Sequence, residues 1–163
     1  MPEAFDPAQV PGLCGGGGGL VGPLHALAEK LDAAFVEISR LFSAEPRYHF
    51  PLLPVEVMRR LDYFSSFPHL VVVPASAEPS EPVLRAFRDA NGASATGPLA
   101  MPAALVPVDA VLAPAACYAV YPTLGGTLDG PRAVTLCGTC FRAEEHHQPL
   151  RRQRAFRMRE IVL

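Results

Sequence analysis

Three consecutive stretches near the end of the chain decide the fold: AVTLCGTCF (133–141), RAEEHHQPLRRQR (142–154) and AFRMREIVL (155–163). The first and third are short runs of β-branched and apolar residues, which are typical of strands. The second is polar and contains a proline, which is typical of a loop. The segment therefore predicts two antiparallel strands joined by a long loop.

The sequence upstream of this hairpin mixes helices and strands without regular alternation. Apolar residues at three- and four-residue steps predict a long amphipathic helix that begins at Pro23 and extends to Phe42. We expect shorter helices at 54–64 and 81–90, the second ending at Asn91-Gly92, and strands at 69–73 and 104–112. Such a mixture predicts the α+β class.

The first 23 residues differ in composition from the rest. They contain four prolines and a run of five glycines, Gly15 to Gly19, with few large apolar groups. No Gly-Lys-Ser/Thr follows the glycines, so the run lacks the residues of a phosphate-binding P-loop. We expect a disordered lead at 1–23 and one domain at 24–163.

The charge and cysteine content limit the function classes. The formal net charge is −2, so no overall basic field attracts nucleic acid. Six arginines crowd near the end of the chain, in a stretch that could hold a polyanion such as triphosphate; they are Arg142, Arg151, Arg152, Arg154, Arg157 and Arg159. We find no signal-peptide pattern and no apolar run long enough to span a bilayer, and therefore expect reduced thiols, a cytoplasmic location and no membrane partner.

The hairpin also carries a two-part motif. Phe141-Arg142-x-Glu144 ends the first strand, and Arg152-x-x-x-Phe156 leads into the second. This arrangement resembles the second signature motif of class II aminoacyl-tRNA synthetases. The resemblance implies a catalytic Arg142 on the ATP α-phosphate, Arg152 on the outer phosphates, Glu144 on the nucleotide or its Mg²⁺, and Phe156 stacked on adenine. The alternative is a basic hairpin with a buried phenylalanine.

A longer pattern narrows the resemblance. Ala-Ala-Cys117-Tyr, Cys-Phe-Arg142 and Met-Arg-Glu160-Ile-Val together are similar to the amino acid:[carrier protein] ligases, from about Arg47 onward. These are homologues of the catalytic core of atypical zinc-dependent seryl-tRNA synthetases. The resemblance implies a partial class II antiparallel sheet flanked by helices, and a Zn²⁺ held by Cys117, Glu160 and a later cysteine that this chain lacks.

Other interpretations of these residues remain open. From the residues alone, Cys117 is a small buried apolar group and Glu160 a surface carboxylate paired with a neighbouring arginine. Cys137 and Cys140 form an isolated C-x-x-C within one strand, which favours ordinary strand cysteines with side chains on opposite faces. His146 and His147 are adjacent in a loop, which favours a solvated loop over a metal site.

The resemblance leads to the following functional hypothesis. The complete enzyme uses ATP to activate glycine, alanine or serine and transfers it to the phosphopantetheine thiol of an acyl carrier protein; it is a homodimer, and tRNA is not expected as a partner. The family's third motif, with an arginine for the γ-phosphate, would follow beyond Glu160, so we expect a C-terminally truncated catalytic domain. The alternatives are a tRNA-charging seryl-tRNA-synthetase-like domain and a non-catalytic remnant that binds nucleotide or a partner.

Overall fold

The computed structural model describes residues 19–96, 98–148 and 150–163. Most of the expected disordered lead, at 1–18, lies outside the described residues. The rest of that lead is partly helical, because the first helix begins at Gly22 with Pro23 in its first turn. Proline is favourable there, since the first amides of a helix have no intrahelical acceptor to lose.

The described elements confirm the mixed α+β composition. Four α-helices and seven strands occur in this part of the chain. The helices are α1 (Gly22–Leu41), α2 (Val55–Arg60), α3 (Tyr63–Ser66) and α4 (Glu81–Asn91). The strands are β1 (Glu45–Arg47), β2 (Leu52–Pro54), β3 (Ala75–Ala77), β4 (Leu105–Pro107), β5 (Ala110–Leu112), β6 (Val134–Phe141) and β7 (Ala155–Val162).

The predicted hairpin forms the main sheet. β6 and β7 pair antiparallel along their whole length, with Leu136 opposite Glu160 and Cys140 opposite Phe156. The short strand β1 adds to the other side of β6 in parallel, with Arg47 opposite Leu136. The order is β1-β6-β7, which leaves β7 as an edge strand among the described residues. Two further ladders, β2-β5 and β3-β4, are separate from this sheet.

Three of the expected elements are divided differently in the structure. The helix expected at 54–64 is split between α2 and α3, because Asp62 has a left-handed conformation with φ of 54°. The strand expected at 69–73 was wrong: Pro68–Leu70 form a 3₁₀ turn, 71–74 are not in a strand, and the next strand is β3. The strand expected at 104–112 is two strands, of which β4 pairs with β3 and β5 pairs with β2.

The alternation of side chains gives the main sheet two different faces. One face presents Leu136 and Cys140 of β6, and Phe156 and Glu160 of β7; we call it the front face. The 3₁₀ turn at Ala116–Ala119 packs on it, and Ala116, Val120, Val134, Leu136 and Cys140 form a buried cluster there. A second cluster around Met58, Tyr63 and Val111 joins α2 and α3 to β2 and β5.

Helix α1 packs on the opposite, back face through ion pairs. Asp32 accepts hydrogen bonds from Arg159 (Nη2 to Oδ2, 3.0 Å) and pairs with Arg157 (Nη2 to Oδ2, 2.9 Å). Glu29 also pairs with Arg157. The Asp32 and Arg159 side chains are only 18% and 17% exposed, so these charges are less screened than surface pairs. The hydrogen bond and positive charge of Arg159 are the main causes that hold the pKa of Asp32 below its ordinary value of 3.8.

Replacing Asp32 with asparagine is expected to lower the free energy of unfolding by about 2 kcal/mol at pH 7, because two arginines lose a half-buried carboxylate. Since the folded pKa is lowered, this contribution is complete above pH 3.8 and is lost as the pH falls through the folded pKa. Urea unfolding of the wild-type and D32N proteins measures the difference in free energy of unfolding at pH 7 and its decrease at pH 3.

The matched control is Glu37→Gln, which removes the exposed pair between Glu37 and Arg40 on the same helix. It is expected to change the free energy of unfolding by less than about 0.5 kcal/mol. Equal effects of D32N and E37Q at pH 7 would contradict the assigned role of Asp32.

Candidate active site

The centre of the site is the contact between Cys117 and Glu160. The 3₁₀ turn at Ala116–Ala119 lies across the front face, and β7 directs Glu160 toward it. The backbone N–H of Cys117 donates a hydrogen bond to Oε2 of Glu160 at 2.6 Å. The partner of Glu160 is thus the cysteine that the family resemblance predicts, and not a neighbouring arginine.

The Cys117 thiol is half-buried and held in its protonated form. Burial is the largest cause that raises its pKa, followed by the hydrogen bond and negative charge of Glu160, and together they bring it to about 11. The Tyr121 hydroxyl also forms a hydrogen bond with this thiol, which acts in the opposite direction. Cys117 is therefore more than a small apolar group, because its sulfur faces a carboxylate and a phenol.

The side chains of Cys117 and Glu160 are of the types that zinc prefers. Thiolate and carboxylate are both ordinary zinc ligands, and bound metal displaces the thiol proton that Glu160 otherwise stabilises. Within residues 19–96, 98–148 and 150–163, no group of three or more Cys, His, Asp and Glu side chains converges on one point. Cys117 and Glu160 would supply two of the three protein ligands that the family resemblance implies for Zn²⁺.

The residues that the two-part motif predicts to bind nucleotide lie at the other end of the hairpin. Nε of Arg142 donates to the Pro114 carbonyl oxygen at 3.0 Å, and its guanidinium lies 5.1 Å from the centre of the Phe156 ring. Arg142 and Phe156 are thus in contact on the front face. A cation over an aromatic ring is attracted by the negative charge of the ring face.

The remaining pair of the motif, Glu144 and Arg152, lies near the two ends of the loop that joins β6 to β7. Arg152 forms a salt bridge with Glu144 at 3.6 Å, and its side chain is 59% exposed. The backbone N–H of Arg142 bonds to the Arg154 carbonyl oxygen at 3.0 Å, which joins the two ends of the loop. All six predicted site residues therefore lie on the hairpin or on the turn that covers its front face.

Two predicted members of the arginine cluster lie elsewhere. Arg157 and Arg159 alternate away from Phe156 and Glu160, so they point to the back face, where Glu29 and Asp32 neutralise them. A polyanion bound on the front face would therefore not contact these two arginines. A cavity of about 540 Å³ between α1 and β7 also lies on the back face.

Sequence reasoning missed an aromatic group behind the site. Tyr118 packs edge-on against Tyr63, with ring centres 5.1 Å apart, and Tyr63 is 3% exposed. Burial, followed by the neighbouring Tyr118, raises the pKa of Tyr63. Tyr63 precedes Cys117 by more than fifty residues, so no spacing pattern could place them together.

The other cysteine and histidine predictions have mixed outcomes. Cys137 and Cys140 do face opposite sides of the sheet; Cys140 is fully buried, and burial raises its pKa to about 12. Cys137 accepts a hydrogen bond from Nε of Arg157 at 3.0 Å on the back face. His147 is less solvated than predicted, because both of its ring nitrogens are buried without a partner among the described residues.

Comparison with solved structures shows the fold. The chain is similar to the crystal structure of A. aeolicus tRNASec in complex with M. kandleri SerRS, with a TM-score of 0.50 and 22% identity. The match covers 79% of this chain and 28% of that chain. The described part therefore has a seryl-tRNA-synthetase-like fold.

A curated relative confirms the narrower resemblance. Amino acid--[acyl-carrier-protein] ligase 1 of Bradyrhizobium diazoefficiens is 32% identical over 144 residues, covering 85% of this chain. The chain spans 41% of the length of that relative. No protein-family model matches the chain. The chain thus resembles the amino acid:[carrier protein] ligases, as its motifs predicted.

No described helix has the length and apolar composition of a membrane span.

We expect Cys117 to react slowly with iodoacetamide at pH 7.5, because a pKa of about 11 leaves little thiolate. The rate should rise as the pH approaches 11. Glu160→Gln removes two causes of the raised pKa and should increase the rate at pH 7.5 several-fold. Mass spectrometry of the peptide that contains Cys117 measures the rate. Equal rates in wild type and E160Q would show that the carboxylate does not act on this thiol.

Proposed function

We propose that the protein containing this chain uses ATP to activate a small amino acid as an aminoacyl-adenylate and then transfers it to the phosphopantetheine thiol of a carrier protein. The observation that carries this proposal is the placement of Cys117 and Glu160 on the same sheet face as Arg142 and Phe156. The proposed amino-group anchor and the proposed nucleotide anchor would thereby lie along one surface.

In the proposed first step, a carboxylate oxygen of the amino acid attacks the α-phosphorus of ATP and pyrophosphate leaves. Arg142 would stabilise the negative charge that develops on the α-phosphate, and Arg152 would bind the outer phosphates. Adenine would take the face of Phe156 that the Arg142 guanidinium now covers. Glu144, now paired with Arg152, would turn to the nucleotide or its Mg²⁺.

In the proposed second step, the thiol of the carrier arm attacks the carbonyl carbon of the aminoacyl-adenylate. AMP leaves, and the amino acid is then joined to the arm by a thioester. Cys117 and Glu160 would hold a Zn²⁺ whose open position binds the amino group of the substrate. The role of this chain's residues is orientation, because a substrate held by its amino group presents its carboxylate toward Arg142. Glycine, alanine and serine are the proposed substrates.

A tRNA acceptor is the second candidate. The similar solved structure is a complex with a tRNA, so the expectation that tRNA is not a partner lacks support. The two acceptors require the same adenylate and differ only in the last step. The name of the curated relative favours the carrier protein as the first choice.

The test is amino-acid-dependent exchange of pyrophosphate into ATP by the complete protein that carries this chain, with zinc present. Glycine, alanine or serine should support exchange, and Arg142→Ala should reduce kcat/KM for ATP at least about 100-fold. Arg88→Ala, which removes an exposed arginine of α4, is the matched control and should have no effect.

Subsequent transfer assays with carrier protein and with bulk tRNA separate the two candidates. Labelled amino acid on the carrier protein supports the first candidate, and labelled tRNA supports the second. Binding of ATP without exchange for any of the three amino acids would overturn both and favour a non-catalytic nucleotide-binding protein.

We further propose that two copies of the protein associate through α1. This helix packs on the sheet through a half-buried row at four-residue spacing, namely Leu24, Ala28, Asp32 and Val36. Its larger apolar side chains remain about half exposed, although Leu31 and Phe35 also line the cavity between α1 and β7. They are Leu27, Leu31, Phe35, Ile38 and Phe42, each 43–53% exposed. A continuous apolar stripe of this kind is typical of an interface.

Phe35→Asp is expected to weaken self-association at least about tenfold, because it places a charge in the middle of the apolar stripe. Sedimentation velocity of the protein over a concentration series measures the change. Glu37→Gln on the exposed polar side of α1 is the control. A wild-type protein that stays monomeric at all concentrations would contradict the proposed dimer.

A further inference from the structure

A buried tyrosine hydroxyl lies behind the candidate site without a hydrogen-bond partner. The Tyr63 side chain belongs to a residue that is 3% exposed, and its hydroxyl oxygen has no partner among residues 19–96, 98–148 and 150–163. Burying a hydroxyl costs free energy, because it loses its hydrogen bonds to water and gains none in return. Such groups are rare in folded proteins, so each one requires an explanation.

One connection between Tyr63 and Arg142 runs through the edge of the buried cluster. Ala113 belongs to the same cluster as Tyr63, and its carbonyl oxygen accepts a hydrogen bond from the Phe141 N–H at 2.8 Å. The carbonyl oxygen of the next residue, Pro114, accepts from Nε of Arg142 at 3.0 Å. The arginine side chain is therefore attached to the border of the cluster that encloses the tyrosine.

A second connection begins at the backbone of Tyr63. Its carbonyl oxygen accepts from the Phe67 N–H at 2.8 Å, and the two ring centres lie 5.8 Å apart. The Phe67 carbonyl oxygen accepts from the Leu70 N–H at 3.1 Å, and the Leu70 carbonyl oxygen accepts from the Ala143 N–H at 3.2 Å. The residues on both sides of Arg142 are thus bonded to segments that surround Tyr63.

The charge of Arg142 also acts on this phenol. Burial is the main cause that raises the pKa of Tyr63, and the positive charge of Arg142 opposes it. The same two effects act on the pKa of Tyr118, whose ring is edge-on to Tyr63 with centres 5.1 Å apart. The guanidinium that covers the Phe156 ring therefore also lies near both phenols.

The proposed function requires the Arg142 side chain to move. Adenine would take the face of Phe156 that the guanidinium now covers, so the cation has to leave the ring when nucleotide binds. A guanidinium carries five N–H donors, and the Pro114 carbonyl oxygen accepts from one of them. A second fixed acceptor would hold the guanidinium in one orientation while its other donors face the α-phosphate.

We propose that the Tyr63 hydroxyl oxygen accepts a hydrogen bond from the Arg142 guanidinium when nucleotide is bound, and thereby orients Arg142 toward the α-phosphate. This inference rests on the proposed function for the identity of the ligand. Tyr63 is a positioning residue, because it acts through Arg142 and does not touch the substrate. The state that lacks nucleotide bears the cost of the unpaired hydroxyl, and the nucleotide-bound state does not.

Tyr63→Phe removes the hydroxyl and retains the ring. In the complete protein that carries this chain, kcat for amino-acid-dependent pyrophosphate exchange should fall at least about tenfold, because a hydrogen bond to a charged group is lost. KM for ATP should change little, since Arg152 and Phe156 still bind the nucleotide. The urea midpoint of unfolding without nucleotide should be equal or higher. Tyr48→Phe, at an exposed tyrosine, is the matched control and should change none of these values.

A second measurement needs no turnover. The complete protein, labelled with ¹³C at Cζ of tyrosine and on the phenylalanine rings, is titrated with ATP in the absence of amino acid and followed by NMR. The Tyr63 Cζ resonance should shift in the wild type. It should not shift in Arg142→Ala at ATP concentrations where the Phe156 resonances show that adenine is bound.

The outcomes separate this inference from the proposed function. Unchanged kcat in Tyr63→Phe, a lowered urea midpoint, or a Tyr63 shift that persists in Arg142→Ala would overturn the positioning role and leave the proposed function intact. No exchange in the wild type together with an Arg142-dependent Tyr63 shift would overturn the function and leave the contact. A wild-type protein that does not bind ATP would overturn both.

Discussion

The pairing of β6 with β7 is the constraint on which the rest of the structure depends. Because side chains alternate along each strand, this register places Phe156 and Glu160 on one face and Arg157 and Arg159 on the other. A shift by one residue would exchange the two sets. The buried cluster under the turn at Ala116–Ala119 opposes such a shift, since it requires Leu136 and Cys140 inside.

The two faces then have different electrostatic roles. On the back face, acidic residues of α1 pair with the arginines, which attaches the helix and leaves little charge for a ligand. On the front face, the Arg142 guanidinium contacts a carbonyl oxygen and an aromatic ring, and the Glu160 carboxylate accepts a hydrogen bond from a backbone amide. The cavity of about 540 Å³ is on the back face, whereas the residues proposed to bind phosphate and amine are on the front.

Local patterns in the sequence were sufficient for the elements formed by neighbouring residues. The strands at 134–141 and 155–162, helix α1 and helix α4 could be predicted because their patterns are long or have a clear end. The turn at Asp62 and the separation of β4 from β5 depend on tertiary pairing, which no local pattern contains. The parallel pairing of β1 with β6 joins segments nearly ninety residues apart, so it also could not be predicted from local sequence patterns.

The family motif named the candidate residues, and Cys117 and Glu160 do meet in the structure, while their roles stay predictions. Clustering in sequence could not show that Arg157 and Arg159 lie on the back face, because it ignores the face on which a strand places each side chain. The most direct measurement is NMR mapping of this chain during titration with ATP and glycine in the presence of zinc. We predict shifts at Cys117, Arg142, Phe156 and Glu160. Shifts confined to Cys137, Arg157 and Arg159 would place the ligand on the back face and contradict the proposed site.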